Sequence, residues 1–319
     1  MDTFKRLNLI KKRKMAIEKL VEYYAEYRIC CYNKGDKLKG IQLRKRIHPL
    51  INLILKIDQL LSREDNVIIS NKNNADPKTP KIFACTHIGG NDIQRTFQII
   101  KEPAYLMLGD PGILYKMPIY QGLKLNGVIP LETKNRTDRK IAYSRSIELL
   151  NNGGNLLIYP EGAWNVSPNE VVMKTFTGTV RMAKETGVEI VPIGVEQYGK
   201  TFYFNIGKNY GIDKDTQMSD DELNADLRDK LATLKWEIME KQPTLKRKDV
   251  SDNYMDEFQS EIVGRCNYGY GFSLEDALSE SFHDKNITTE GEAFTHLNNI
   301  EFNANNAFLL RGKSKILKK

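Results

Sequence analysis

The sequence predicts an α/β fold: a mixed, largely parallel central sheet flanked by helices, preceded by an N-terminal helical segment. Three observations carry this. Seven short apolar runs recur between residues 66 and 206. Between them lie longer stretches with apolar residues at three- and four-residue spacing, an alternation expected of strands joined by crossover helices. The chain also has 319 residues, 40% of them hydrophobic, enough for a sizeable core and for about two domains at roughly 100–200 residues each.

Residues 1–63 read as helical and basic. Ile47, Leu50, Ile51, Ile54, Ile57 and Leu61 share one helix face. Pro49 suits a first helical turn better than an interior, so a first helix should break near 37–40 and a second begin near His48. Residues 71–80, rich in Asn and ending in Pro80, read as a loop. The domain at 64–241 then offers strands at 66–70, 81–86, 104–108, 127–131, 155–159, 189–196 and 201–206. Helices are expected at 92–101, 113–125, 138–151 and 177–186. Ser219 and Glu222 form a capping box that opens a helix reaching about Lys241. Residues 242–319 turn polar and read as an accessory tail, with helical fragments near 254–265 and 274–282.

Charge divides unevenly. Residues 1–50 hold fourteen Lys/Arg against five acids, a net +9, whereas the whole chain carries +7 and the remainder therefore −2. The longest uncharged stretch, 149–160, is twelve residues broken by Asn and Gly, too short for the roughly 20 apolar residues of a spanning helix. The N-terminus lacks the apolar core of a secretory signal. Cys30, Cys31, Cys85 and Cys266 show no C-x-x-C pair and no zinc or disulfide spacing. The expectation is a cytoplasmic protein without a bound metal.

One histidine stands apart. His87 follows the apolar run 82–86 and precedes Gly89, Gly90 and Asp92, which opens a helix. Two glycines permit a tight turn that returns Asp92 to the imidazole, where a carboxylate would fix the tautomer and leave the other ring nitrogen as general base. The competing reading is that Asn91 or Asp92 merely caps the helix. A second strand, 155–159, ends in Pro160, Glu161, Gly162, Ala163 and Trp164. Open α/β sheets place ligand-binding groups at such carboxyl ends; the plainer reading is a surface turn.

A strand ending in His-x4-Asp, a later strand ending in Pro-Glu-Gly, residues 127–131 between them and residues 190–193 after them together resemble the glycerolphosphate and lysophospholipid acyltransferase family. The resemblance covers about Lys81 to Ile206. It implies transfer of a fatty acyl group from a thioester, acyl-CoA or acyl-carrier protein, to an acceptor hydroxyl, with no cofactor beyond that donor. It implies that His87 is the general base and Asp92 its orienter. It places Gly127, Ile129, Glu161 and Gly162 at the acceptor, and Val191, Pro192 and Ile193 beside the acyl chain.

The sequence departs from the family in two places. Thr133 and Trp164 stand where the family's two phosphate-binding arginines are expected, and neither supplies the planar fork that pairs with phosphate. Lys134 and Arg136 are near in sequence. A lipid, sugar or amino-acid-linked acceptor with less phosphate dependence becomes plausible, with Trp164 as a flat apolar face or a core aromatic.

Other signals are weaker. Cys85 lies in an apolar run and reads as core. Signatures of serine hydrolases, zincins and P-loop enzymes are absent from the sequence; Gly269 to Gly271 is too short for a nucleotide loop, and His48, His283 and His296 lack ligand-like partners. The expected partners are the acyl donor, a lipid acceptor and an anionic membrane surface at the inner face of the membrane, reached through the basic segment and the apolar face of 47–61. N-acylation, or acylation of a glycolipid, is the runner-up. A nucleic-acid-binding role is disfavoured, because the basic residues are not interleaved with stacking aromatics.

Overall fold

The structure is a computed structural model that describes residues 9–117, 119–168, 170–242, 250–265, 275 and 311. The expected fragment at 274–282 lies, apart from Glu275, outside the described residues, as do Cys266, His283 and His296.

Seven strands form one sheet: β1 (Asp65–Asn71), β2 (Lys81–Cys85), β3 (Ala104–Gly109), β4 (Val128–Leu131), β5 (Asn155–Ile158), β6 (Glu189–Tyr198) and β7 (Thr201–Ile206). Their order is β1-β7-β6-β2-β5-β3-β4. Only the β6–β7 hairpin is antiparallel, so β1 and β7 run against the other five. The expected mixed, largely parallel sheet is observed. Strand alternation sorts the core into two layers. Ile82, Ala84, Leu156, Ile158 and Ile190 face α6 (Arg136–Asn151), α7 (Gly178–Thr186) and α8 (Asp220–Met239). Phe83, Cys85, Leu157, Val191 and Ile193 face Phe97 and Ile100 of α4 (Asp92–Ile100). The capping box of Ser219 and Glu222 opens α8.

The N-terminal segment holds α1 (Leu9–Lys14), α2 (Ile17–Asn33) and α3 (Ile41–Ser62). Contrary to expectation, α3 runs through Pro49 rather than starting beside it. Tertiary anchors on its first turns override the lost backbone bond: Arg44 donates to Lys39 O, Tyr105 Oη and Lys124 O, and Lys45 donates to Gly153 O. The helix expected at 113–125 is instead a short 3₁₀ turn, Gly112–Lys116, followed by α5 (Ile119–Asn126). Met117, extended at φ −106° and ψ 144°, precedes Pro118, and helical geometry is disfavoured for a residue before proline unless tertiary contacts hold it, as they do at His48.

Arg28 of α2 anchors this segment. Its guanidinium donates to both oxygens of Asp138 at 2.8 and 2.5 Å, to Glu132 at 3.2 Å and to Tyr115 Oη at 2.8 Å. The helices are therefore built onto the sheet domain. The apolar face of α3 points outward: Leu50, Ile54, Ile57 and Leu61 are exposed, the last 81% so. Its polar residues turn inward, Asp58 pairing with the buried Arg95 and Gln59 with Gln98. No described helix is long and apolar enough to cross a membrane.

Helix α9 (Tyr254–Gly264) buries Tyr254, Phe258 and Ile262 against Val166 and Trp164.

Candidate active site

The site lies beyond the carboxyl ends of the neighbouring strands β2 and β5. Thr86 fixes the end of β2 by exchanging hydrogen bonds with the main chain of Val195, Oγ1 accepting at 3.0 Å and donating at 3.3 Å. The chain then turns through Gly89 (φ +82°) and Gly90 (φ +64°), left-handed conformations that glycine adopts without a Cβ penalty. At Gly89 a Cβ would also meet the Trp164 ring at 3.0 Å.

That turn returns Asp92, fully buried, to His87. Asp92 Oδ2 accepts from His87 Nδ1 at 2.7 Å, from Ile88 N at 2.8 Å and from Gly89 N at 3.1 Å. Neither Asn91 nor Asp92 spends its side chain on capping α4, since the Asn91 amide donates to Glu64. A carboxylate accepting at Nδ1 places the proton there and the lone pair on Nε2. Among the described residues no hydrogen bond reaches Nε2. The ring stacks on Tyr159 at 4.2 Å between centroids and meets the edge of Trp164 at 6.3 Å.

The main chain of His87 is gripped from both sides. Its N–H donates to Glu161 Oε1 at 2.7 Å and its carbonyl accepts from Asn165 N at 2.8 Å. Glu161 is buried, and its second oxygen accepts from Met173 N at 2.8 Å. Burial pushes its carboxyl above the ordinary range, opposed by the Lys235 charge, the two N–H donors and Arg311. Both of its oxygens thus hold backbone at the site rather than projecting toward an acceptor. Gly162 makes a left-handed turn (φ +71°) where a Cβ would strike the Phe176 ring at 2.4 Å.

The other candidates are dispersed. Thr133, beyond β4, donates from N to Asp110 Oδ1 at 2.8 Å and from its hydroxyl to Asp110 Oδ2, so a carboxylate lies beside the position expected for a phosphate-binding arginine. Lys134 and Arg136 are exposed. Gly127 (φ +113°) packs on the Tyr105 ring, and Ile129 is buried in β4. Val191, Pro192 and Ile193 pair with Phe83, Ala84 and Cys85 inside the sheet. The structure therefore brings His87, Asp92, Glu161 and Trp164 together, with Gly162 adjacent, and leaves the 191–193 run inside neighbouring β6 and Gly127, Ile129 and Thr133 at β4, the edge strand separated from β5 by β3.

Cys85 is core, as expected; burial pushes its thiol well up, out of the thiolate range, outweighing the hydrogen bond to Thr96. His48 is likewise buried, its Nε2 3.0 Å from the Asn52 amide. No group of three or more metal-ligating side chains lies among the described residues.

Sequence reasoning missed two members. Tyr159 ends the β5 run, and an aromatic there reads as core; only the adjacency of β2 and β5 puts it under the imidazole. Asn165, fully buried, spends Nδ2 on Glu170 O and Val171 O and Oδ1 on Ser167 N. An Asn one residue beyond Trp164 is a turn signal, though nothing local ties it to His87.

Residues 66–196 match the family model described as Acyltransferase. No curated protein sequence matches the chain. Among solved structures, the 1-acyl-sn-glycerophosphate (LPA) acyltransferase PlsC from Thermotoga maritima is similar in fold, with a TM-score of 0.50 and 17% identity over 68% of this chain and 88% of that one.

Proposed function

We propose, for a chain whose residues 66–196 match the Acyltransferase family model, that it transfers a fatty acyl group from an acyl thioester, acyl-CoA or acyl-carrier protein, to a hydroxyl of a lysophospholipid or related lipid. The observation that carries this reading is the 2.7 Å contact of His87 Nδ1 with Asp92, at the carboxyl end of the sheet, with no hydrogen bond to Nε2 among the described residues.

In this mechanism Nε2 takes the acceptor's hydroxyl proton as its oxygen attacks the thioester carbonyl. The tetrahedral adduct collapses with cleavage of the carbon–sulfur bond, and the imidazolium returns the proton to the departing thiolate. Asp92 holds the reactive tautomer and stabilises the imidazolium, the same logic as in hydrolase triads but without an acyl-enzyme. Glu161 and Asn165 clamp the His87 main chain, which lowers the reorganisation needed on reaching the transition state.

The acceptor carries no phosphomonoester that must be bound beside its reacting hydroxyl. Asp110 against Thr133 supports this, since an unpaired phosphate beside a carboxylate would bear both desolvation and repulsion. The same observation favours the second reading, acylation of an amine or a glycolipid. The outward apolar stripe of α3, set among Lys45, Arg46, Lys56 and Arg63, supports peripheral attachment to an anionic membrane surface through interfacial burial and charge.

The test is mass spectrometry of lipids from cells overproducing the protein or its His87→Ala variant. The expected result is an acylated lipid that rises only with the wild type. A lipid profile identical for both proteins contradicts the reading.

A further inference from the structure

Arg311 sits far from the site in sequence and against it in space. Its guanidinium is fully buried. One edge pairs with Glu196 at the end of β6, Nε to Oε2 at 2.8 Å and Nη2 to Oε1 at 3.1 Å. The other nitrogen, Nη1, donates to the carbonyls of Asn165 at 2.7 Å and Ser167 at 3.1 Å. Its own amide donates to Pro168 O at 2.9 Å, its carbonyl accepts from Tyr254 Oη, and its charge lies over the Phe258 ring of α9 at 5.0 Å.

The loop that Arg311 holds carries Trp164, whose edge faces His87, and Asn165, whose N–H grips the His87 carbonyl at 2.8 Å. A continuous chain of hydrogen bonds thus runs from Glu196 through Arg311 and Asn165 to the backbone of His87. We infer that Arg311 is a positioning residue for acyl transfer, strapping the 163–168 loop onto the catalytic turn. The inference rests on the function proposed above. Only arginine fits the task, because a planar fork spans a carboxylate and two carbonyls at once, whereas a lysine ammonium offers one point of attachment. Arg311, far beyond the sheet domain in sequence, is then part of the working site.

The experiment compares Arg311→Ala and Arg311→Lys with wild type in the full chain. Displacement of a reacting group by about 1 Å costs on the order of 10²-fold in rate. Both variants should lose kcat on that scale while KM for the acyl thioester stays within about twofold by the same argument, and N-methylguanidinium should restore part of the alanine variant's kcat. An activity-independent arm uses Trp164 fluorescence in a Trp236→Phe background, since the chain has two tryptophans; removing the strap should shift the emission to the red. If Arg311→Ala does not fold, the lysine variant, which keeps a charge opposite Glu196, decides. Folded variants with wild-type kcat and unchanged emission overturn the proposal. So does a loss of thermal stability alone, with kcat intact at temperatures where the variant is folded. Absence of acyl transfer by the wild type would count against the proposed function, while the fluorescence arm would still test the strap.

Discussion

Replacing Asp92 with asparagine isolates what its charge does. Oδ2 accepts three N–H bonds, so the amide oxygen of Asn must take that position; an NH₂ there would confront three donors. The tautomer of His87 is retained, and the amide nitrogen falls where the buried Oδ1 has no hydrogen-bond partner among the described residues. Exchanging a charge-assisted hydrogen bond for a neutral one forfeits about 1–1.5 kcal/mol of imidazolium stabilisation, and the stranded amide costs about 1–3 kcal/mol more. The first loss falls on the transition state, where the imidazolium exists, and predicts roughly a tenfold lower kcat; the second falls mainly on stability. Loosening of the turn would enlarge the kinetic effect, but Asp92→Asn should stay more active than His87→Ala, expected to lose about 10²–10⁴-fold. Initial rates with an acyl thioester and a hydroxyl acceptor, beside urea unfolding of each variant, separate the two losses. Wild-type kcat in Asp92→Asn, or a variant less active than folded His87→Ala, would refute this division.

Other outcomes follow from the same geometry. Arg28→Ala should destabilise the protein by roughly 3–5 kcal/mol, because Asp138 and Glu132 are left buried without their cation; chemical denaturation with no such loss would contradict the anchoring of α2. For Glu196, burial acts to raise the pKa, but Arg311 first and then Lys235 outweigh it and hold the carboxyl down to about 2 from an ordinary 4.5. A depressed carboxyl contributes stability above pH 4.5 that fades as pH falls toward 2, about 3 kcal/mol in all. The stability gap between wild type and Glu196→Gln should therefore narrow from pH 6 to pH 3, and a constant gap across that range would be wrong for this pairing. In competition assays, lysophosphatidic acid should lose to neutral or zwitterionic acceptors, and Trp164→Arg should shift preference toward it; a clear win for lysophosphatidic acid in the wild type would mean that another cation binds the phosphate. Replacing Leu53, Ile57 and Leu60 with serine should weaken binding to anionic vesicles in a flotation assay without unfolding the chain, since these side chains are exposed; unchanged flotation would remove α3 from the membrane.

The central strands β2, β5 and β6 could be read from sequence because each is a short apolar run buried on both faces, and the turn at His87 because two glycines and a following Asp leave few backbone routes. Proline misled at 49 and would have guided at 118: the former is overridden by Arg44 and Lys45, whose partners Tyr105, Lys124 and Gly153 are distant in sequence. The amphipathic pattern of α3 was visible, but its outward direction followed only from the surrounding basic charge, because periodicity gives a stripe and not which side faces the core. At Thr133 the missing arginine was visible, and the carboxylate of Asp110 beside it was not. The strap from Arg311 leaves no local signature, since it depends on which loop the tail reaches.

The most direct measurement of the central claim is a purified in vitro transfer assay, with labelled acyl thioester and a panel of hydroxyl acceptors, run in parallel on wild type and on His87→Ala shown to be folded by circular dichroism. The account predicts labelled ester product with the wild type and a loss of about 10²–10⁴-fold with the variant. Equal product from both proteins would contradict it.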